Sequence, residues 1–292
     1  MRTIKFIFSF FLSFILMFVL LIFQFSLFTH YKLYNANFYM DKFQKLGLYS
    51  YLQSSTNSSL DTIARVSNLP KAVFNNVVSQ TWLKSQVENS TTGTIDYMTY
   101  KTNNLPAIDT NSLLKTFDEN LDKFIKSSNI TVDKSVQDQL NSIRSQSGGS
   151  IKDEINLFSF DTVSKSSSFQ KIRKYLNLLY SYENIIILII IIIAILLFII
   201  EHNNIAIFIS WIGYSLIAGG LLSLVPSLVG IFSRFTDNIA IGIPTIKIIV
   251  GSIISDYLKF FTYSSIIFIV LGIILVVISA YLERNSRGFI SR

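Results

Sequence analysis

The 292-residue chain lacks cysteine altogether and has few histidines, prolines and charged residues. The absence of cysteine excludes disulfides, thiolate catalysis, cysteine-based zinc sites and cysteine lipidation. The two histidines, His30 and His202, are predicted to lie about a bilayer apart, so we do not expect them to share a metal. Charged residues make up 15% of the chain, against about a quarter in soluble proteins. We therefore expect a membrane protein without a bound metal or cofactor.

Recognised catalytic motifs are also missing from the sequence. It contains no nucleophile elbow, phosphate-binding loop, zinc-protease or EF-hand pattern. The acidic pair Asp118 and Asp122 falls at i, i+4 beside Lys115 and Lys126, which is typical of a solvated helix face. The net charge of +7 is spread along the chain, so we expect no nucleic-acid partner. These observations argue against an enzyme.

Long apolar runs are the dominant feature that is present. A helix that crosses a hydrocarbon core of ~30 Å needs about 20 apolar residues. Three stretches qualify directly: 6–28, 205–232 and 262–282. A fourth, 184–200, is shorter but is prolonged on its N-terminal side by Leu176, Leu178, Leu179 and Tyr180. Because every backbone polar group in lipid must be satisfied internally, and because barrel-like alternation is absent, these stretches are predicted to be helices. The predicted fold class is all-α, with four transmembrane helices and a helical extracytoplasmic domain between the first two.

The runs divide the chain into seven predicted parts. In chain order these are residues 1–30, transmembrane helix 1; 31–170, a helical extracytoplasmic domain; 171–201, transmembrane helix 2 with an outward extension; 205–232, transmembrane helix 3; 233–261, an outer loop with an amphipathic helix; 262–283, transmembrane helix 4; and 284–292, a cytoplasmic tail. The first helix is interpreted as an uncleaved signal anchor. A cleaved signal peptide is the alternative, but the run is long and no small-x-small cleavage site follows it.

The orientation follows from the basic residues that flank the spans. Arg2 and Lys5 precede the first span, and three arginines lie within 284–292. The positive-inside rule places both termini in the cytoplasm and residues 31–183 outside. Basic residues just before the second span argue the other way, but long loops translocate largely regardless of charge. The predicted location is the cell membrane, with several passes.

The large segment between the first two spans has a helical pattern. Apolar residues recur at helical spacing over 113–125 and again over 132–143. Strand-like composition is confined to 93–97 and 157–160. We predict a helical bundle, and the pattern at 169–179 predicts that the second span continues outward as one long helix.

The loop before the fourth span contains a second amphipathic pattern. Apolar residues between Ile246 and Leu258 follow the i, i+3, i+4, i+7 rule, with polar residues such as Lys247 and Asp256 on the other face. Such a helix either lies in the membrane interface or packs on the outer domain. The sequence leaves both possibilities open.

The third span is rich in small residues. The candidate helix-packing residues are Gly213, Ser215, Gly219, Gly220, Ser223 and Ser227. Small residues at intervals of four allow helices in lipid to approach closely. The partner in this packing is either another span of the same chain or a second membrane protein, including a second copy of this chain. Pro226 is predicted to bend the same helix.

The order of spans and loops resembles the claudin-like four-span topology. The claudin signature, a W-GLW-C-C motif in a strand-rich first loop, has no counterpart here, so the resemblance implies layout and no claudin activity. The segment from Leu69 and Pro70 through Trp82, Val87 and Tyr97 is similar to outer domains of uncharacterised Gram-positive bacterial membrane proteins. That resemblance implies a bacterial integral membrane protein and no particular activity.

These features together predict a non-enzymatic integral membrane protein. Its helical outer domain is expected to bind or sense a ligand, or to scaffold a partner. The expected surroundings are the lipid bilayer and a membrane-protein partner or a second copy of the chain. A transporter or channel subunit is the first alternative, and a membrane-bound hydrolase is the second.

Overall fold

The computed structural model describes residues 2–156 and 164–290, and their side chains from residue 3 to residue 284. All regular secondary structure in these residues is helical. The α-helices are α1 (Arg2–Phe28), α2 (Ala36–Lys45), α3 (Leu48–Ser67), α4 (Gln80–Met98), α5 (Asn111–Ser127), α6 (Lys134–Ile155), α7 (Ser167–Ser181), α8 (Glu183–Ile200), α9 (Ile205–Phe232) and α10 (Pro244–Ile290). The all-α prediction is therefore confirmed for the described residues. The stretch 93–97 lies inside α4, whereas 157–160 falls outside the described residues.

The chain divides into two compact units. The first, here called the span unit, comprises Met1–Asn35, Lys174–Ile241 and Val250–Arg292. The second, here called the domain unit, comprises Ala36–Arg173 and Gly242–Ile249. Each unit has its own buried residues, and each is described separately below.

The described residues contain four helical segments that are long and apolar enough to cross a membrane: Thr3–Leu33, Glu183–Ile200, Ile205–Phe232 and Pro244–Arg284. These segments belong to the span unit, except that residues 244–249 group with the domain unit. Helix α1 packs against α8 and α9. Its core contact with α8 comprises Leu16, Leu20, Ile193 and Leu197. Many large apolar side chains on the outer faces of these helices are exposed, which suits contact with lipid. These properties suggest a membrane protein.

Two helix boundaries differ in detail from the sequence pattern. The prediction that the second span continues outward as one long helix is wrong: α7 and α8 are separate elements because the backbone of Tyr182 between them leaves the helical region, with φ −105° and ψ 19°. The Tyr182 N–H still donates to the Leu178 carbonyl at 3.0 Å. In contrast, the predicted amphipathic helix and the fourth span form one 47-residue helix, α10. Pro244 suits its first turn, and the segment 258–262 contains no glycine or proline that would end it. Residues 242–249 group with the domain unit.

The domain unit is organised around α3, which packs against α2, α4 and α6. Its fully buried leucines include Leu48, Leu52 and Leu60. Burying one such side chain stabilises the folded state by about 1.5–3 kcal/mol. Glu154 of α6 accepts hydrogen bonds from two hydroxyls of α3, those of Ser55 at 2.7 Å and Ser59 at 2.9 Å. Apolar burial and this polar contact together hold α6 against α3.

Tyr49 gives the domain unit a predicted sensitivity to alkaline pH. Burial raises the pKa of this phenol to about 12, and the negative charge of Glu88 acts in the same direction. An unfolded tyrosine loses its proton near pH 10, so between pH 10 and about 12 the folded state binds more protons than the unfolded state. Stability is therefore fully present below pH 10 and falls as the pH rises, by up to about 1.4 kcal/mol per unit from this group.

The measurement is chemical unfolding of the full chain at several pH values, followed by the fluorescence of Trp82 in a Trp211→Phe background. We expect Tyr49→Phe to have a shallower loss of stability between pH 10 and 12 than the parent protein. Equal slopes for the two proteins would contradict this assignment. Comparison at pH 8 separates the pH effect from any general destabilisation by the substitution.

Candidate functional site

The structure places the small residues of the third span in the interior of the span unit. The buried residues of α9 include all six candidates: Gly213, Ser215, Gly219, Gly220, Ser223 and Ser227. Pro226 lies within α9, between Ser223 and Ser227 along the chain. The small side chains are therefore located where helices approach each other, rather than on an exposed face.

One side of α9 touches α10 through backbone atoms. A β-carbon on Gly213 would lie 2.9 Å from the carbonyl oxygen of Gly272, and one on Gly272 would lie 2.7 Å from the carbonyl oxygen of Gly213. A β-carbon on Gly220 would lie 2.9 Å from the Ser265 carbonyl oxygen. Separations below 3.0 Å are too short for a real β-carbon. Glycine is required at these positions because the two backbones are in contact.

The other side of α9 faces α1 through a serine pair. The hydroxyls of Ser13 and Ser215 lie 2.7 Å apart, and Ser215 is also 2.8 Å from the carbonyl oxygen of Ser13. A β-carbon on Gly219 would sit 3.5 Å from the Met17 carbonyl oxygen, which is an ordinary contact. Helix α9 is thus packed between α1 and α10, and the small residues serve contacts within the chain.

Gln24 forms the centre of a polar cluster that sequence reasoning did not identify. Its side chain is fully buried, and the amide nitrogen is 2.6 Å from the Ser264 hydroxyl and 3.2 Å from that of Ser265. The Ser265 hydroxyl is in turn 2.6 Å from Ser223 of α9. The amide oxygen of Gln24 is buried and has no hydrogen-bond partner among the described residues. The only signal in the sequence was one glutamine in an apolar run whose other polar residues are serines.

A second polar contact lies where α8 ends. Glu201, which is buried, accepts a 2.6 Å hydrogen bond from the Ser9 hydroxyl of α1. A carboxylate at the edge of a hydrocarbon layer is costly unless it is hydrogen-bonded, and Ser9 supplies one such bond. Glu201 is the last residue of the predicted second transmembrane helix, 171–201, but the sequence did not indicate that it would be buried.

The two histidines lie beside opposite ends of α8. His30 Nδ1 is 3.5 Å from a carboxylate oxygen of Glu183, the first residue of α8, and the His30 ring stacks on Tyr180. His202 follows the last turn, and its Nδ1 is 3.0 Å from the Ile199 carbonyl oxygen. An 18-residue helix is about 27 Å long. That length separates the two rings too far for a shared metal.

Arg173 is the most completely enclosed charge among the described residues of the domain unit. Its guanidinium lies 3.7 Å from the ring centre of Tyr97 and 3.8 Å from that of Tyr100, and the residue is 4% exposed. Its nitrogens reach the Thr102 carbonyl oxygen at 3.4 Å and the Gln170 side-chain oxygen at 3.5 Å. Tyr100 adopts a positive φ of 59°, which is unusual for an aromatic residue. The arginine therefore ties the end of α4 to α7.

A groove between α5 and α6 is the candidate binding surface of the domain unit. Its volume is ≈210 Å³, and its lining comprises Asp118, Leu121, Asp122, Ile125, Gln137, Leu140, Asn141 and Arg144. Leu121 and Leu140 are buried, whereas Asp122 is exposed. Arg144 pairs with Asp118 at 2.9 Å across the groove. The predicted solvated acidic face thus includes an ion pair between two helices beside apolar residues.

No known protein family, curated protein or solved structure matches this chain. The claudin-like layout remains a resemblance in the order of spans and loops. Statements about function therefore rest on the residues and contacts of this chain.

Proposed function

We propose that the protein is a non-enzymatic membrane protein in which four spans anchor a helical extracytoplasmic domain that binds a partner protein. The observation that carries this proposal is that the small residues of α9 make helix–helix contacts within the chain. Gly213 and Gly220 meet the backbone of α10, and Ser215 meets α1. Spans held together in this way are suited to act as an anchor.

These contacts are the basis for assigning anchoring to the spans and recognition to the domain unit. Where Gly213 and Gly272 bring two backbones into contact, no room remains for a solute to pass between α9 and α10. The hydroxyl of Ser223 is engaged with Ser265 rather than with an open channel. Recognition is accordingly assigned to the domain unit. Its placement outside the cell rests on the arginines near both termini.

The groove between α5 and α6 is the surface we assign to the partner. Buried Leu121 and Leu140 provide an apolar floor, and the rim carries Asp118, Asp122 and Arg144. These three rim charges sum to −1. An amphipathic helix fits such a groove when it places an apolar side chain on the floor and a lysine or arginine near Asp122.

The proposal predicts site-specific cross-linking to a partner in intact cells. A photoreactive residue at Asn141, which is exposed in the groove, is expected to give a discrete adduct with a second protein. Asp122→Arg should remove the adduct because it reverses the rim charge. The matched control is a photoreactive residue at Ser58, an exposed position of α3 outside the groove lining. Equal adducts at both positions, or none at Asn141, would contradict the assigned surface.

A transporter or channel subunit is the second candidate, and the Gln24 cluster is the observation that favours it. Polar and acidic groups buried among spans commonly mark pathways. Here the amide oxygen of Gln24 has no described partner, and Glu201 is buried beside Ser9. Solute-flux measurements on the full chain in liposomes separate the candidates. Flux that Gln24→Leu abolishes would support the transporter and contradict a purely anchoring bundle.

The hydrolase alternative has weaker support in the contacts of the domain unit. Ser55 and Ser59 both donate to Glu154, which groups hydroxyls with a carboxylate. Both carboxylate oxygens of Glu154 are thereby engaged in packing α3 against α6. We make no hydrolase proposal from this contact.

A further inference from the structure

A second groove lies within the span unit, alongside the start of the apolar part of α10. Its lining comprises Lys32, Asp256, Lys259, Phe260, Tyr263, Ser264 and Ile267. The volume is ≈430 Å³. Lys32 belongs to the π-helical turn Thr29–Leu33 that follows α1. The other residues recur at intervals of three and four, so they form one face of α10.

The groove changes character along its length. Its charged end holds Lys32, Asp256 and Lys259, whose formal charges sum to +1. Lys259 is exposed, and among the described residues it forms no ion pair. The opposite end is apolar, with Tyr263 and Ile267 well exposed. A matching ligand is therefore anionic at one end and apolar at the other.

The dimensions of the groove match an amphiphile better than a free anion. Lys259 and Ile267 are eight residues apart on one helix, a rise of about 12 Å. Inorganic phosphate would contact the lysines and leave Tyr263 and Ile267 uncovered. A chain of methylene groups continuing from the phosphate would cover both, and burying each methylene is favourable by about 0.8 kcal/mol.

The position of the groove along the spans also favours an amphiphilic ligand over a free anion. Lys32 lies at the end of the first candidate span, Thr3–Leu33. Lys259 is the last charged residue before the uncharged stretch 260–282 of α10, and Ile267 lies within that stretch. The charged end therefore lies at the level of lipid headgroups and the apolar end at the level of acyl chains.

We propose that this groove binds an anionic glycerophospholipid. The phosphate lies between the ammonium groups of Lys32 and Lys259, and an acyl chain runs past Tyr263 toward Ile267. The Ser264 hydroxyl lines the groove beside the ester region of the lipid. This inference rests on the membrane embedding of the proposed function and is independent of what the domain unit binds.

The test is native mass spectrometry of the full chain, purified in detergent and titrated with phosphatidylglycerol or phosphatidylcholine. The wild-type protein is expected to retain phosphatidylglycerol preferentially. Each of Lys32→Gln and Lys259→Gln should weaken its binding about fivefold, as expected for one basic residue at a lipid surface. The matched control is Lys134→Gln with Lys171→Gln, which removes two exposed lysines of the domain unit and should leave lipid binding unchanged.

Two further arms separate a lipid from a free anion. Ile267→Ser is expected to weaken phosphatidylglycerol binding, because it removes apolar contact without altering charge. Millimolar inorganic phosphate should fail to displace the lipid. Equal affinity for the two lipids, an unchanged affinity in the two lysine variants, or displacement by phosphate would overturn the inference.

Failure of the lipid-binding inference can be distinguished from failure of the proposed function. Loss of the cross-link at Asn141 with lipid selectivity intact would overturn the partner surface and leave the lipid site standing. Release of the chain from membranes by alkaline carbonate would contradict the embedding on which both depend. Circular dichroism of each lysine variant checks that its helical content matches the parent protein.

Discussion

Gly220→Ala is expected to destabilise the span unit by about 1–3 kcal/mol, the usual cost of forcing extra volume into a packed interior. The added β-carbon would lie 2.9 Å from the Ser265 carbonyl oxygen and 2.7 Å from Ile269 Cγ1. The isoleucine side chain can turn aside, but the carbonyl is part of α10. Relief of the clash therefore requires α9 and α10 to separate along their contact.

The adjacent Gly219 provides a matched control in the same helix. Its added β-carbon would lie 3.5 Å from the Met17 carbonyl oxygen, an ordinary van der Waals distance. Gly219→Ala should therefore be neutral, or stabilising by up to about 1 kcal/mol through the greater helix propensity of alanine. The same substitution is thus expected to destabilise the protein at Gly220 and not at the neighbouring Gly219.

Unfolding in mixed micelles with increasing dodecyl sulfate measures both variants. In a Trp82→Phe background, Trp211 reports on the span unit because it packs against Phe6 and Phe10 of α1, with ring centres 5.4 and 6.3 Å away. Gly220→Ala should shift the midpoint to lower dodecyl sulfate and Gly219→Ala should not. Equal shifts for the two would contradict the assignment of the tight contact to the α10 side of α9.

Arg173→Ala is expected to destabilise the domain unit by about 3 kcal/mol. The substitution removes a guanidinium stacked between Tyr97 and Tyr100, and a desolvated cation–π contact contributes on the order of 2 kcal/mol. It also leaves a cavity where the arginine stem was packed. Tyr100 then retains its positive φ without the contact that favours that conformation.

Arg173→Lys tests whether the planar group matters beyond its charge. Lysine keeps the cation but cannot stack between two rings, so we expect a loss of about 1–2 kcal/mol. Lys171→Ala, an exposed position two residues earlier, should change stability by less than about 0.5 kcal/mol. Urea unfolding of the full chain in detergent, followed by Trp82 fluorescence in a Trp211→Phe background, measures all three. A wild-type midpoint for Arg173→Ala would show that the enclosed charge contributes nothing to the fold.

Local patterns in the sequence were sufficient to predict the four apolar helices and the helical character of the domain unit. Helical periodicity and hydropathy depend on residues within a few turns of one another, so they can be read directly from the chain. The same locality explains the joining of the amphipathic helix to the fourth span. The amphipathic pattern and the apolar run are both present in the sequence. Whether a helix ends between them depends on a helix-breaking glycine or proline, and segment 258–262 contains neither.

Long-range partners could not be predicted in this way. Ser13 and Ser215 are 202 residues apart in sequence, and Gln24 and Ser265 are 241 apart, yet each pair is in contact. Arg173 looked like one of several basic residues before the second span. Its enclosure by two tyrosines depends on how the end of α4 meets α7.

The sequence by itself determined that the chain is helical, that four segments are apolar enough to cross a membrane, and that the third carries a stripe of small residues. Those properties follow from side-chain type and local spacing. The tertiary structure decided that Gly220, and not Gly219, lies too close to a neighbouring backbone to accept a β-carbon, that Gln24 joins the serines of α10, and that Lys259 belongs to a groove ending on apolar side chains. The physical reason is that close packing is set by which helix faces meet, and these faces are brought together from opposite ends of the chain.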